Sequence, residues 1–271
     1  MSGTPCRIVF ALTHPVQYMS PLFRQLASTP GCDLTVLYAS TPLPEQQGVG
    51  FGTAFTWSGA LLEGYRHEVL TQADASRRFG ADSFLGVDAS TVGEALDRLR
   101  PDVVVVPGWH SVFYLRLLWA ASRRRIPVLY RGDSNLGTAP TGWRRPLWHV
   151  RTWLALRMFD GWLSVGSRSR RYLERFGMPE PLVVDAPHAV ELLAHQTTEA
   201  ERGAVRQRLG AGDDDFLLVF AGKFVDVKRP ADLIHAAHAL GGQVVLAMIG
   251  SGPLEASLRA LAERLGVTVT W

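Results

Sequence analysis

Short, continuous apolar runs recur along this chain, and segments with helical periodicity separate them. A run without alternating polar residues predicts a strand covered on both faces, as the strands of a parallel sheet are. Strands that alternate with helices predict an α/β architecture with doubly wound parallel sheets. The predicted strands are residues 7–12, 34–38, 103–106, 128–130, 162–165, 182–184, 216–220 and 244–249. The predicted helices are residues 22–27, 92–99, 114–124, 169–176, 231–240 and 254–265.

The alternation restarts after about residue 190, which predicts two Rossmann-like domains, residues 1–190 and residues 191–271. The polar stretch 195–208 separates the two series and marks the domain boundary. Residues 39–67 lack clear periodicity and are long for a connection. They are either a functional loop or small insertion, or a solvent-exposed excursion.

Composition excludes several classes of protein. No apolar run approaches the ~18 residues that span a bilayer, and the N-terminus lacks the apolar core of a secretory signal. Only Cys6 and Cys32 are present, which predicts no disulfide framework and no cysteine metal site, and favours a cytoplasmic location. The net charge of +3 suits an anionic ligand or an acidic membrane surface, but it is too small to indicate a nucleic-acid partner.

Residues 143–159 combine tryptophans with arginines in a segment of helical character. Such a helix can lie in a membrane interface, where apolar burial adds to attraction by anionic lipid. A helix that packs against the sheet and leads into the strand at residues 162–165 can carry the same pattern. The sequence therefore leaves two interpretations open, a peripheral membrane contact and an ordinary packing helix.

Candidate site residues follow the predicted strands directly. In an open parallel sheet, ligands bind beyond the carboxyl ends of the strands. The predicted strands carry almost no charge, whereas the turns after them are rich in Gly, His, Arg, Lys and Asp. The candidates in these turns are His14, Gln17, His110, Arg131, Asp133, Gly222, Lys223, Lys228, Gly250 and Gly252.

Lys223 and Lys228 give the most specific chemical signal among these candidates. Two cations after one strand, beside a glycine turn after the next strand at residues 250–253, predict a diphosphate site. Lysine neutralises phosphate charge, and glycines let backbone N–H groups approach a phosphate at a helix N-terminus. Either lysine alone would fit a solvated turn, and glycines also make ordinary strand–helix turns. Their combination at one sheet edge favours the site.

The histidines and the arginine of the first half allow more than one reading. His14 and His110 can exchange protons near neutral pH, although a lone histidine is more often structural. Arg131 and Asp133 form either an internal ion pair that shapes a loop or a clamp for sugar hydroxyls. The chain lacks a Ser–His–Asp signature, an HExxH motif, a GxxxxGK[ST] phosphate loop and a GxGxxG fingerprint after its first strand.

Two stretches of the second half resemble glycosyltransferase family 4, a large family of retaining nucleotide-sugar transferases with the GT-B fold. They are GKFVDVKRPADLIHA at residues 222–236 and MIGSGPLEASLRALAERLGV at residues 248–267. These are similar to the family's donor-diphosphate strand and to its G-x-G-P turn. Residues 10–27, 103–111 and 127–135 resemble, more loosely, the acceptor-side domain of a bacterial subgroup. The likeness covers essentially the whole chain and implies two Rossmann-like domains.

The resemblance implies transfer of a sugar from a nucleotide-sugar donor to an acceptor hydroxyl, with retention and without metal or other cofactor. The acceptor would be a saccharide or a lipid-linked molecule of bacterial polysaccharide or glycolipid synthesis. A non-catalytic sugar-nucleotide-binding module and a sugar-nucleotide epimerase of similar fold remain alternatives. The implied donor-diphosphate residues are Gly222, Lys223, Lys228, Gly250 and Gly252. The implied acceptor-side residues are His14 and Gln17, and the implied catalytic residues are His110, Arg131 and Asp133.

The chain departs from the family pattern at three places. His14 and Pro15 stand where many members have a glycine-rich turn, and Arg131 begins the turn where many have a histidine. Members also carry two glutamates, separated by seven residues, in a part of the second domain that lies beyond Trp271. We therefore expect a C-terminally truncated transferase. Because a half-built sheet leaves strand edges unpaired, we expect the isolated chain to be aggregation-prone and poorly active.

Overall fold

The computed structural model describes residues 4–56, 61–76, 83–189, 197–242 and 244–271. The chain forms two compact units. Unit 1 comprises Met1–Leu43 and Trp57–Val190, and unit 2 comprises Pro44–Thr56 and Glu191–Trp271. A short segment from the first half of the chain therefore belongs to the second unit. The predicted domain change between residues 190 and 191 falls outside the described residues.

Unit 1 contains seven strands and five of the α-helices that the structure describes. The strands are β1 (Cys6–Leu12), β2 (Cys32–Ser40), β3 (Arg66–Thr71), β4 (Val103–Val106), β5 (Val128–Tyr130), β6 (Gly161–Ser164) and β7 (Val183–Asp185). The helices are α1 (Ser20–Ser28), α3 (Val92–Leu99), α4 (Val112–Arg123), α5 (Arg144–Leu156) and α6 (Ser167–Arg175). In chain order, α2 (Pro44–Gln47) comes between β2 and β3 and belongs to unit 2.

The sheet of unit 1 is parallel and has the order β3-β2-β1-β4-β5-β6-β7. Alternate residues of β1 enter two different cores, Val9 and Ala11 on one face, Phe10 and Leu12 on the other. Both faces are thus buried, which confirms the predicted doubly wound architecture. The strand order reverses between β1 and β4, where such sheets open a crevice for ligands.

Unit 2 has a smaller sheet of the same kind. Its strands are β8 (Phe216–Ala221), β9 (Val244–Ile249) and β10 (Val269–Thr270), and its further helices are α7 (Glu199–Arg208), α8 (Pro230–Leu240) and α9 (Glu255–Leu265). The three strands are parallel in the order β10-β9-β8. Phe224 and Ile234 are buried with Leu246, Met248 and Leu258 in the core of this unit.

β3 and α7 are among the elements that were absent from the sequence expectations. β3 carries Arg66 and Glu68 and lies at the sheet edge, where Arg66 Nε donates to Thr35 Oγ1 at 2.8 Å and Glu68 pairs with Arg98. Because β3 contains charged residues, a search for continuous apolar runs does not find it. The polar stretch 195–208 was expected only to separate domains, yet it contains α7. A capping box between Thr198 and Glu201 begins this helix, which buries none of its residues.

Candidate functional site

A cavity of about 380 Å³ lies in unit 1 at the carboxyl ends of β1, β4 and β5. Four of the sequence-predicted residues line it together, namely His14, His110, Arg131 and Asp133. Gln17 is exposed and is not among the lining residues, although its neighbours Tyr18 and Met19 are. The turns after neighbouring parallel strands meet at one edge, which is why residues so far apart in sequence share this cavity.

Burial favours the neutral form of the two predicted histidines of the cavity. It lowers the pKa of His14 below its ordinary value of 6.5, and the nearby His110 lowers that pKa further. Burial likewise lowers the pKa of His110, while the carboxylate of Asp133 acts in the opposite direction. His14 Nδ1 lies 3.0 Å from Thr13 Oγ1, and the ring of His110 packs edge-on against Tyr114 at 5.1 Å. Each ring is thus positioned and able to accept a proton.

Arg131 is held by the protein backbone and not by Asp133. Its Nη2 donates to the carbonyl oxygens of Ala186 and Pro187, each at 3.1 Å, and its Nη1 contacts Sδ of Met19 at 3.6 Å. Burial lowers the pKa of its guanidinium. The sequence allowed either an ion pair between Arg131 and Asp133 or a clamp for sugar hydroxyls. Among the described residues, the ion pairs do not include one between Arg131 and Asp133.

Sequence reasoning missed several lining residues. His188 follows β7 and contacts the ring of Tyr18 at 5.4 Å, so the rule that selected the other strand ends would also have found it. Its pKa is lowered by burial and by the charge of Arg131, and raised by Asp133. Trp148 and Arg151 reach the cavity from α5, and nothing in their spacing distinguished them from a packing face.

In unit 2, the two predicted phosphate turns lie side by side. Ala221 pairs with Ile249 at the ends of β8 and β9, and the pairing continues into the turns. The N–H of Gly222 donates to the Ile249 carbonyl and that of Phe224 to the Ser251 carbonyl, both at 2.9 Å. The structure thus brings the Lys223 turn and the turn at residues 250–253 together.

The glycines of these turns are required by their close approach. Gly250 has a φ of 148°, and a Cβ on it would lie 1.9 Å from the carbonyl oxygen of Gly222. Gly252 has a φ of 155°, and its Cβ would lie 2.7 Å from the carbonyl oxygen of Phe224. Both values are far below an ordinary van der Waals contact, so a side chain at either position would push the two turns apart.

Lys223 is engaged by the segment of residues 44–56, which belongs to the same unit. Its Nζ donates to the carbonyl oxygen of Val49 at 2.6 Å and lies 4.9 Å from the ring centroid of Phe51. Ser251 Oγ donates to the carbonyl oxygen of Phe51 at 2.7 Å. For residues 39–67 the sequence allowed either a functional loop or an exposed excursion. The part at residues 44–56 packs on the predicted phosphate turns. Residues 57–60 lie outside the described residues.

Lys228 is placed differently from Lys223. It is exposed at the end of a single 3-10 turn, Asp226–Lys228, just before α8 begins. Among the described residues, no group of three or more His, Cys, Asp or Glu side chains is arranged to hold a metal ion. Lys223 and Lys228 thus place two positive charges after β8 in unit 2.

One face of α5 is apolar although it is turned to solvent. Trp143 is 79% exposed and Leu147 68% exposed, and further exposed apolar residues follow at helical spacing at Val150, Leu154 and Met158. Residues 134–159 carry four arginines and no acidic residue. The other face of α5 is buried at Thr152, Ala155 and Leu156, so this element both packs on the sheet and presents an apolar surface. No helix within the described ranges is long and apolar enough to cross a membrane.

Solved structures with a similar fold include Anabaena HepE and a UDP-GlcNAc 2-epimerase. Anabaena HepE, in complex with UDP and glucose, matches with a TM-score of 0.62 at 16% identity, over 97% of this chain and 68% of HepE. The UDP-GlcNAc 2-epimerase of Neisseria meningitidis, bound to UDP-GlcNAc, matches with a TM-score of 0.54 at 14% identity, over 98% of this chain and 72% of the epimerase. These likenesses confirm the predicted GT-B architecture of two Rossmann-like domains.

The family follows from a separate comparison. A search of curated proteins gave no match. The model of Glycosyltransferase Family 4 matches residues 17–192, which is more than half of the chain. That match lies before the lysine and glycine turns, residues 222–228 and 250–253, that suggested the family. The chain belongs to glycosyltransferase family 4.

Proposed function

We propose that this protein transfers a sugar from a nucleotide-sugar donor to an acceptor hydroxyl, with retention and without a metal ion. The donor diphosphate binds at the turns of Lys223 and Gly250 in unit 2. The observation that carries the proposal is the placement of the lysines. Of the 28 lysines and arginines of the chain, only Lys223 and Lys228 are lysines, and both belong to this one strand–helix connection.

The lysines stabilise the departing nucleoside diphosphate. Negative charge develops on the leaving phosphate as the glycosidic bond breaks, and a fixed cation beside it lowers the barrier. In the structure, the ammonium group of Lys223 donates a hydrogen bond to the carbonyl oxygen of Val49. A phosphate oxygen is charged and is a stronger acceptor than a carbonyl, so donor binding replaces that contact. Lys228 is exposed on a flexible side chain and supplies the second charge.

The cavity of unit 1 receives the acceptor or the transferred sugar. Burial lowers the pKa of His14 and of His110 and so favours the neutral ring, which can accept a proton from a hydroxyl, and Asp133 offers a carboxylate to sugar hydroxyls. Arg131 supplies a positive charge in the same space. We therefore assign His110, Arg131 and Asp133 to the reacting end and His14 to the acceptor side. Gln17 does not line the cavity, so its assignment to the acceptor side rests on the family resemblance alone.

A test begins with UDP, because HepE was solved with UDP and glucose and the similar epimerase with UDP-GlcNAc. We expect calorimetry to detect UDP binding, and release of UDP from one of a panel of UDP-, GDP- and ADP-sugars when a saccharide acceptor is present. Binding without turnover in the whole panel would favour the non-catalytic module. Absence of any nucleotide binding would overturn the proposal.

An epimerase is the second candidate, favoured by the structural likeness to a UDP-GlcNAc 2-epimerase. The two reactions differ in their need for an acceptor. Incubation of the chain with UDP-GlcNAc alone, followed by chromatography of the sugars, separates them. Isomerised sugar in the absence of acceptor would favour the epimerase, and acceptor-dependent release of UDP would favour the transferase.

We further propose that the protein binds the cytoplasmic face of an anionic membrane through α5. The exposed apolar stripe of α5 gains free energy on burial in lipid, and the surrounding arginines are attracted by anionic headgroups. Such a surface suits a lipid-linked acceptor, because Trp148 and Arg151 extend from the same helix into the cavity.

Replacing Leu147 and Leu154 together by glutamate is expected to weaken binding to vesicles that contain phosphatidylglycerol by roughly 100-fold or more. Each leucine loses ~1.5–3 kcal/mol of burial and each new charge opposes the lipid. Vesicle co-sedimentation measures the change. The matched control replaces Leu85 and Leu182, which are also exposed in unit 1, by glutamate. This control should bind the vesicles as the unaltered chain does. Equal loss in both variants would argue against α5.

A further inference from the structure

Arg131 is a buried charge whose hydrogen-bond acceptors are all neutral. The residue is 5% exposed, and its guanidinium donates to the carbonyl oxygens of Ala186 and Pro187 and contacts the thioether of Met19. A guanidinium does not lose its proton in proteins, so it cannot avoid the cost of burial by becoming neutral. A buried cation of this kind is most stable when a ligand supplies the opposite charge.

The cavity beside Arg131 has an excess of positive charge. Arg151 also lines it, and Asp133 is the one acidic side chain among the described lining residues. Asp133 is exposed, so water screens its charge more strongly than it screens the buried guanidinium. The rings of His14, His110 and His188 add N–H groups that can donate to an anion.

We propose that this cavity binds the acceptor through a phosphate group and that Arg131 holds that group. The inference rests on the proposed transferase function and adds the chemical class of the acceptor. A guanidinium is always charged and has five N–H groups, each of which can donate to a phosphate oxygen. The contacts of Arg131 to Ala186, Pro187 and Met19 engage Nη2 and one hydrogen of Nη1, which fixes the orientation of the plane and leaves the Nε–H and the second Nη1 hydrogen for a phosphate oxygen.

The size and position of the cavity allow two sources of the phosphate. A volume of about 380 Å³ accommodates a phosphate with an adjoining sugar or with the first units of a lipid chain. Trp148, Arg151 and Thr152 of α5 line the cavity, while the opposite face of this helix is apolar and exposed. A lipid phosphate would enter beside that surface, whereas a soluble sugar phosphate would not need it.

The test measures binding of phosphate probes by calorimetry to the 271-residue chain. The probes are glycerol 3-phosphate, farnesyl phosphate, glucuronate and glucose. We expect the phosphates to bind more tightly than glucuronate or glucose, and Arg131→Met to weaken phosphate binding by roughly 10- to 100-fold. Arg123→Met removes an exposed arginine of α4 in the same unit and should leave binding unchanged. A tighter fit of farnesyl phosphate identifies a lipid-linked acceptor; equal affinities identify a soluble one.

Three outcomes overturn the inference: phosphates bind no better than glucose, glucuronate binds as tightly as phosphate, or Arg131→Met binds phosphate normally. If Arg131→Met does not fold, Arg131→Lys replaces it, because lysine keeps the charge and loses the directed N–H groups of the guanidinium, so phosphate binding should still weaken. Lys223→Ala with Lys228→Ala should retain glycerol 3-phosphate binding. Loss of UDP binding with retention of phosphate binding separates the donor site from this one, so each proposal can fail alone.

Discussion

Replacing Lys223 and Lys228 together by alanine is expected to lower the affinity for UDP by about 100-fold or more. Hydrogen bonds between charged groups contribute about 1.5–3 kcal/mol each, and each 1.4 kcal/mol is a factor of ten. The rest of the turn binds through backbone N–H groups and remains, so weak binding persists. Calorimetry with UDP measures the loss, and the rate of UDP release from a nucleotide sugar should fall at least as far, because the same charges stabilise the leaving group.

Two controls distinguish the effect of charge at the UDP site from the effect of the total charge of the protein. Arg264→Ala removes an exposed cation from α9 of the same unit and should leave UDP affinity unchanged. Lys223→Arg keeps the charge but brings a larger, planar group to a position already in contact with Gly50 and Phe51. We expect intermediate affinity from it. Normal UDP binding by the double alanine variant would reject the assignment of both lysines.

The scarcity of lysine offers a second measurement for the same prediction. Amine-reactive reagents can modify only Lys223, Lys228 and the N-terminus. Lys223 should react more slowly than exposed Lys228, because its ammonium is held by the Val49 carbonyl and covered by Phe51. UDP should protect both lysines. If UDP left both labelling rates unchanged while binding elsewhere, the phosphate would not lie on this turn.

The sequence was sufficient where a general rule of parallel sheets applies. Residues that follow β1, β4 and β5 meet in one cavity, and residues that follow β8 and β9 lie side by side, because the carboxyl ends of neighbouring parallel strands share an edge. The pattern of continuous apolar runs was likewise enough to place most strands. Neither inference needs knowledge of side-chain contacts.

Contacts over long sequence separations could not be predicted. Lys223 bonds to Val49, 174 residues earlier, and no local pattern in residues 44–56 indicates that pairing. The partner of Arg131 also depends on tertiary structure, since the carbonyls of Ala186 and Pro187 are 55 and 56 residues away whereas Asp133 is two. Gln17 fails to reach the cavity because one residue along a 3-10 turn changes the direction of the side chain.

Replacing Gly250 by alanine is expected to destabilise unit 2 and to abolish most UDP binding. The new Cβ would lie 1.9 Å from the carbonyl oxygen of Gly222, and its backbone has a φ of 148°. Relief of the overlap requires the two phosphate turns to separate, which also moves Lys223. Overpacking and backbone strain each cost about 1–3 kcal/mol, so we expect a loss of roughly 2–6 kcal/mol in the free energy of unfolding. Urea unfolding measures the stability and calorimetry measures the UDP affinity.

Substitutions at two other glycines of the same unit distinguish the cost of backbone strain from the cost of steric overlap. Gly266 has a φ of 65° with no atom within 4 Å of an added Cβ, so Gly266→Ala introduces strain without overlap and should cost about 1 kcal/mol. Gly242 has neither a positive φ nor a neighbour within 4 Å, and Gly242→Ala should be nearly neutral. Both variants should bind UDP normally, because neither position adjoins the turns. If Gly250→Ala were as stable and as active as Gly242→Ala, the close approach of the two turns would not be required for the donor site.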